Sequence, residues 1–313
     1  MLRQVDQSAQ PGHASAPGTI SCGGMERKFA AIATVLAATG LALAATGSAY
    51  AAPKSIPNQV RYEYVSPKNP EHQAIHDQMK QGRALEHLQE LLAPLRLPYP
   101  LTLKIAGCDG IINAWYNDEV ITVCYELLAD VLKNASTQDL PVGISRADTV
   151  IGPVLDTFLH ETGHAVFNML QIPVLGREED AADQFAAYIM LRLGKDEARR
   201  MILGSAYRHK VDMPGSRVTI PLTSLSDEHS LPAQRAFTIL CIAYGSDKEL
   251  FVDTVEKDFL PKQRAQGCAT EYEDLAFAMT KLIGPHIDKR LASKFHETWA
   301  RTVDIRRARL TRR

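Results

Sequence analysis

Two histidines four residues apart, His160 and His164 in the stretch LHETGHAV, have the types and spacing best suited to chemistry in this chain. On a helix they project from one face, one turn apart, so both imidazoles can reach a single metal ion. Zinc is the usual ion for two helical histidines of this kind. Glu161 follows the first histidine on the same face. It is placed to take a proton from a metal-bound water, whose pKa zinc lowers to about 7, rather than to bind the metal. A catalytic zinc needs a third protein ligand and one open position. Glu178, Glu179 and Asp180 open a second predicted helix and offer it. Glu179 is the better third ligand. Glu178 is the fallback, because sequence does not fix helix phase to one residue. Asp183, one turn after Glu179, is placed to accept the free ring N–H of a metal-bound histidine and so fix its tautomer. The alternative is a helix with two satisfied histidines and an acidic N-terminus drawn to the macrodipole. A second acidic element on a helix a short loop later favours the metal.

The elements that must position these residues are legible as helices. Asp148 is a plausible N-cap before the apolar positions Val150, Val154, Leu155, Phe158 and Leu159. Ala165, Val166, Met169 and Leu170 continue the stripe, and Pro173 and Gly176 end it. Gly163 would cost this helix about 1 kcal/mol against alanine, which suggests close packing against its backbone. The second helix is expected over residues 178–193, closed by Gly194.

HETGH followed by Glu179-xxx-Asp183 resembles the gluzincin metallopeptidases, the thermolysin-like group. The longer text HETGHAVFNMLQIPVLGREEDAADQFAAYIML resembles the DUF4344 metallopeptidases, over about residues 57–300 and most densely at 105–126, 155–194 and 225–272. Asn113-Ala114-Trp115-Tyr116 resembles the edge strand above the zinc in the thermolysin-like group, where it binds extended peptide by backbone pairing. An aromatic hairpin packed on the core is the other reading of those residues. The resemblance also likens His229 and Arg235 to a His-Pro…Arg segment. His229 would then hydrogen-bond the developing oxyanion, and Arg235 would brace the site. Read locally, Asp227 and Glu228 cap a helix and His229 is a surface residue.

At 313 residues, 45% hydrophobic and 23% charged, the chain has the composition of an ordinary soluble globular protein, large enough for a real core. A formal net charge of −1 excludes the basic balance that points to nucleic acid. Residues 25–51 read as a secretory signal peptide: Met25-Glu26-Arg27-Lys28, then an Ala- and Leu-rich run, then Ala49-Tyr50-Ala51. Residues 1–24 read as an over-called start, and 52–313 as the metallopeptidase domain. That domain divides into a sheet with the zinc-binding helices (52–194) and a helical C-terminal part (195–313). The product is expected to be exported, periplasmic or secreted, with no stable membrane insertion after signal cleavage. In an oxidising compartment, Cys108, Cys124, Cys241 and Cys268 are an even set with three connectivities. The nearest-in-sequence pairing, Cys108–Cys124 and Cys241–Cys268, is favoured over buried thiols. Cys22 lies before the signal.

Strands are expected over 59–65, 98–105, 111–116 and 120–123, with an Asn-Asp turn before the last. Helices are expected over 71–93, 125–133, 196–207, 236–244, 249–259, 271–283 and 286–301, with a loop at 213–216. His72 and His76 also lie four apart but lack a following glutamate, and read as a solvated helix face. The basic tail 306–313 reads as a solvated end, with a weak lipid or polymer contact as the minor alternative. The predicted fold is therefore α+β. A small, mostly antiparallel sheet packs on the HExxH helix, a helical C-terminal half follows, and the zinc lies between. The predicted function is an exported zinc metallopeptidase acting on peptide or protein. The rivals are an envelope zinc-binding protein without turnover and a zinc hydrolase of a non-peptide amide or ester.

Overall fold

The computed structural model describes residues 56–57, 59–135, 143–211 and 220–293. The segment expected to be a signal peptide, the expected 213–216 loop, the end of the last expected helix and the basic tail lie outside the described residues.

Alternation builds the central strand. In β4 (Leu101–Ala106; β1 is Ile56–Pro57, β2 Val60–Tyr64 and β3 Arg96–Leu97) Leu101, Leu103 and Ile105 are fully buried, with half-buried Thr102 and Lys104 between them. With β5 (Ala114–Asn117) and β6 (Val120–Cys124) it forms a four-stranded sheet in the order β2-β4-β6-β5. The expectation of a mostly antiparallel sheet is corrected. β2 and β6 both run parallel to β4, and only β5 is antiparallel to its neighbour. The connections explain this. Two helices, α1 (Gln73–Gln81) and α2 (Ala84–Leu92), carry the chain back to the starting end between β2 and β4. Between β4 and β6 the chain reverses twice, and the second reversal is a two-residue turn at Asp118 and Glu119, both with positive φ. β5 is left at the edge. It starts at Ala114 rather than at the predicted 111, because Ile111 turns back on Cys108 through its backbone N–H.

The single helix expected over 71–93 is broken at Gly82 and Arg83, where Arg83 takes a left-handed φ of 54°. His72 and His76 are buried rather than solvated, correcting that reading. Their rings pack on Tyr125, with centroids 5.8 and 6.3 Å away. Tyr125 opens α3 (Tyr125–Asn134).

The 22-residue α4 (Asp148–Met169) lies against β5 and β6 and carries the histidine pair. Its start is set by Ser145 rather than by Asp148 acting as cap. The Ser145 backbone N–H donates to Asp148 Oδ2 at 2.8 Å and the Asp148 backbone N–H donates to Ser145 Oγ at 3.4 Å, the reciprocal pair of a capping box. α5 (Glu178–Met190) packs along α4 and ends earlier than predicted. A Cβ on Gly163 would lie 3.1 Å from Ala182 Cα, so the glycine lets the second acidic element approach the first. α6 (Lys195–Val211) crosses α4 on another side, where a Cβ on Gly152 would lie 2.7 Å from the Met201 carbonyl oxygen.

After the short α7 (Leu222–Leu225), α8 (Pro232–Ser246) packs on α5 and α6. The expected 249–259 helix is only α9 (Val252–Glu256), followed by α10 (Lys262–Ala265). The expected 271–283 helix is α11 (Cys268–Ala278), continued by a π-helical turn over Met279–Ile283. Disulfides join Cys108 to Cys124 and Cys241 to Cys268. The first ties the loop after β4 to the end of β6, and the second ties α8 to α11. No helix among the described residues is long and apolar enough to cross a membrane.

Candidate metal centre

α4 aims His160 and His164 at the first turn of α5, and each imidazole is gripped on its outer nitrogen. His160 Nδ1 lies 2.8 Å from Asp183 Oδ1, and His164 Nδ1 lies 2.8 Å from Glu178 Oε1. The inner nitrogens therefore converge. His160 Nε2 and His164 Nε2 are 3.2 Å apart, and Glu179 Oε2 lies 2.9 Å from the first and 3.5 Å from the second. A tetrahedral ion bound at 2.0–2.2 Å spaces its ligand atoms by about 3.3–3.6 Å. The triangle fits such an ion. Glu178, the fallback ligand of the sequence reading, sits instead on the outer side of His164. A second triple, His160, Glu179 and His229, also brings ligand atoms within 4.8 Å of one another. The two triples differ in setting: the histidines of the first share one helix, whereas the His229 side chain is nearly half exposed on a loop.

The charges around the triangle follow from burial and pairing. Burial pushes the His160 imidazole down, but its hydrogen bonds to Asp183 and Glu179 outweigh that and raise it to about 9. Burial likewise opposes, and hydrogen bonds to Glu179 and Glu178 outweigh, in raising His164. Burial would raise Glu179, yet three imidazoles hold it far below the usual carboxylate range. The pairing that raises both imidazoles favours a proton in the metal-free site, where a cation would compete with it. Metal binding should displace it. Calorimetric titration of chelator-treated protein at pH 7.5 in buffers of different ionisation enthalpy should show release of about one proton or more per ion. The same pairing sets the sign of a stability change. A raised imidazole stabilises fully below the unfolded value of about 6.5 and loses that contribution as pH rises through about 9. Chelator-treated protein should therefore melt lower at pH 9 than at pH 6.5, by a larger margin than metal-loaded protein. A pH slope that is the same in both forms would contradict this pairing.

Asp183, 2% exposed, is the most buried acid of the group. Burial acts to raise it, and His160 and Arg235 together hold it well below the usual carboxylate range. Arg235 meets it with two bonds, Nε to Oδ2 at 2.8 Å and Nη2 to Oδ1 at 2.6 Å. Arg235 projects from α8, so the C-terminal helices reach the site through this fork. His229 Nε2 lies 2.9 Å from Glu179 Oε2, and its Nδ1 lies 3.3 Å from Asp227 Oδ1. The Glu179 hydrogen bond is the main cause of a raised His229.

Glu161 is 8% exposed, and burial is the main cause that raises its carboxyl. It lines a cavity of about 1350 Å³ together with His160, His164, Glu179, His229 and Arg235. Asn113, Ala114, Trp115 and Tyr116 line the same cavity. Among the described residues β5 pairs only with β6, so no described strand occupies its other edge. The Asn113 carbonyl accepts from Cys124 N–H, and by the alternation of an antiparallel pair the backbone groups of Ala114 and Tyr116 face outward. The residues of the sequence reading are thus brought to one place, apart from the four cysteines, which form the disulfides described above.

Sequence reasoning missed two contacts. Ser230 Oγ donates to Asp180 Oδ1 at 2.6 Å, and Asp227 accepts the backbone N–H of His229 at 2.9 Å. An Asp two residues before a histidine is a recognisable turn signal. Nothing local marks Ser230. A family model described as DUF4344, "Putative metallopeptidase", matches residues 64–283. No curated protein and no solved structure matches the chain.

Proposed function

The chain belongs to the DUF4344 metallopeptidase family, and from that premise we propose that it is an exported zinc peptidase whose ion is held by His160, His164 and Glu179. The observation that carries this reading is the convergence of two Nε2 atoms and one carboxylate oxygen on a common point, beside a buried glutamate outside the ligand set. Zinc bound there supplies a Lewis acid for the scissile carbonyl and a water acidic enough to ionise near neutral pH.

The remaining steps belong to this chain's own side chains. Glu161 accepts the proton of the attacking water and passes it to the leaving amine, and burial has already raised its proton affinity towards that task. His229, on the same cavity, donates from Nε2 to the carbonyl oxygen as it gains negative charge. Asp183 holds His160 through Nδ1, and Arg235 holds Asp183, so the ligand ring keeps its tautomer and its aim. The outward backbone groups of Ala114 and Tyr116 pair with an extended substrate, which favours a polypeptide over a small amide or ester. The two disulfides and the signal-like segment 25–51 support export.

The polypeptide reading is tested at the strand edge. Ala114→Pro removes an outward N–H from an edge position, where proline is tolerated. We expect a rise of about tenfold or more in KM for peptides of four residues or longer, with metal content unchanged. An unchanged KM in a folded variant would argue for a substrate that does not pair with β5.

A further inference from the structure

The first turn of α5 holds three consecutive acids that all turn away from their own helix. An acid at the third helical position usually reaches back to the N-terminal backbone N–H groups. Here the N-cap is Arg177, with no side-chain cap bond, and the acids are used elsewhere. Glu178 goes to His164 Nδ1 and Glu179 to the inner nitrogens. Asp180 accepts from Ser230 Oγ at 2.6 Å. Ser230 directly follows His229, on the connection from α7 to α8. Among the described residues, three side-chain contacts tie residues 227–230 to the body: this bond, the His229–Glu179 pair, and the stacking of the His229 ring on His160 with centroids 6.0 Å apart. Two of these contacts run through the His229 imidazole, which must turn from Glu179 to the substrate oxygen during turnover; the Ser230–Asp180 bond holds the loop without it.

We propose that Ser230 and Asp180 form a latch that positions His229 over the metal centre, coupling the oxyanion donor to the helix that bears the third ligand. This rests on the peptidase reading above. Ser230 touches no reacting atom; it is a positioning residue that acts through its neighbour. The bond joins a hydroxyl to a carboxylate, so it is stronger than a neutral pair and directional. It fixes the loop backbone one residue from the imidazole, while leaving the His229 side chain free to turn between Glu179 and substrate.

The test compares Ser230→Ala, Ser230→Thr and His229→Ala, and the pair of Ser230→Ala with His229→Ala, in the full metal-loaded mature protein. Ser230→Ala should lower kcat about tenfold with KM within about twofold and metal content unchanged. Ser230→Thr, which keeps the hydroxyl, should restore most of that loss. In the His229→Ala background, Ser230→Ala should change kcat by less than about twofold, because its route to the reaction is gone. Backbone amide hydrogen exchange over residues 227–231 should be faster in Ser230→Ala, with the rest of the chain unaltered. Two results would overturn the latch: a Ser230→Ala loss equally large with and without His229, or unchanged exchange over 227–231. A wild type that loads metal but cleaves nothing would remove the peptidase reading alone. In that case the exchange measurement decides the latch by itself.

Discussion

Glu161→Gln should lose about 10²–10⁴-fold in kcat on an unfolded-protein substrate while retaining its full metal content. The substitution preserves shape and removes the proton-accepting oxygen. The metal should stay, because Glu161 is not among the converging atoms. The stability change should run the other way. Burial raises the Glu161 carboxyl, so ionising it at neutral pH opposes folding, and a neutral amide removes that cost. Glu161→Gln should therefore melt no lower than wild type at pH 7. A structural glutamate would behave otherwise: its loss would lower the melting temperature and leave turnover near wild type. Steady-state kinetics, metal analysis and a thermal melt on one preparation separate the two.

Asp183→Ala should be the most damaging single change to the scaffold of the site. Asp183 is almost fully buried and holds two partners, His160 at Nδ1 and the Arg235 fork. Removing it leaves the partly buried Arg235 guanidinium, 20% exposed, without its counter-charge, which costs up to about 3–5 kcal/mol. It also frees the His160 ring, and loss of such a support weakens metal affinity about 10–100-fold. Asp183→Asn keeps the shape and one acceptor, and should retain more stability than alanine. The pH dependence has a definite sign. Asp183 is depressed in the folded state, so its stabilisation is complete above the ordinary aspartate range near 4 and is lost as pH falls below it. Wild type should therefore lose more stability between pH 5 and pH 2 than Asp183→Asn does. Denaturant unfolding and competition with a metal-binding dye measure both effects. A stability change under about 1 kcal/mol for alanine would show that the Arg235 fork carries little weight.

Much of the site could be read from the chain because its parts are helical and periodic. The four-residue spacing of His160 and His164 fixes a shared face, and the same spacing links Glu179 to Asp183. The choice between Glu178 and Glu179 was not readable, since adjacent residues on a helix differ by about 100° and the relative rotation of two helices is a tertiary property. Gly163 was informative in the sequence, because a costly residue in a helix interior pointed to the close approach that Ala182 makes. Sheet direction was harder. Strand patterns show which residues face inward but not which way a strand runs, and the parallel pairings of β4 depend on connections that cross the fold. The second histidine pair went wrong for a related reason. His72 and His76 have polar neighbours in sequence, and only the aromatic rings of Tyr64 and Tyr125, brought in from β2 and α3, make their surroundings buried. Ser230 was invisible because its partner, Asp180, lies fifty residues away and looked like part of an acidic helix start.

The central claim is that one ion is held by His160, His164 and Glu179. It is tested most directly by crystals of zinc-loaded mature protein measured on either side of the zinc absorption edge. We expect a single anomalous peak per chain within about 2.0–2.2 Å of His160 Nε2, His164 Nε2 and one carboxylate oxygen of Glu179, with Glu161 facing the ion but not bound to it. A peak that uses His229 in place of His164, a peak that lacks Glu179, or no ordered ion in loaded crystals would contradict the account.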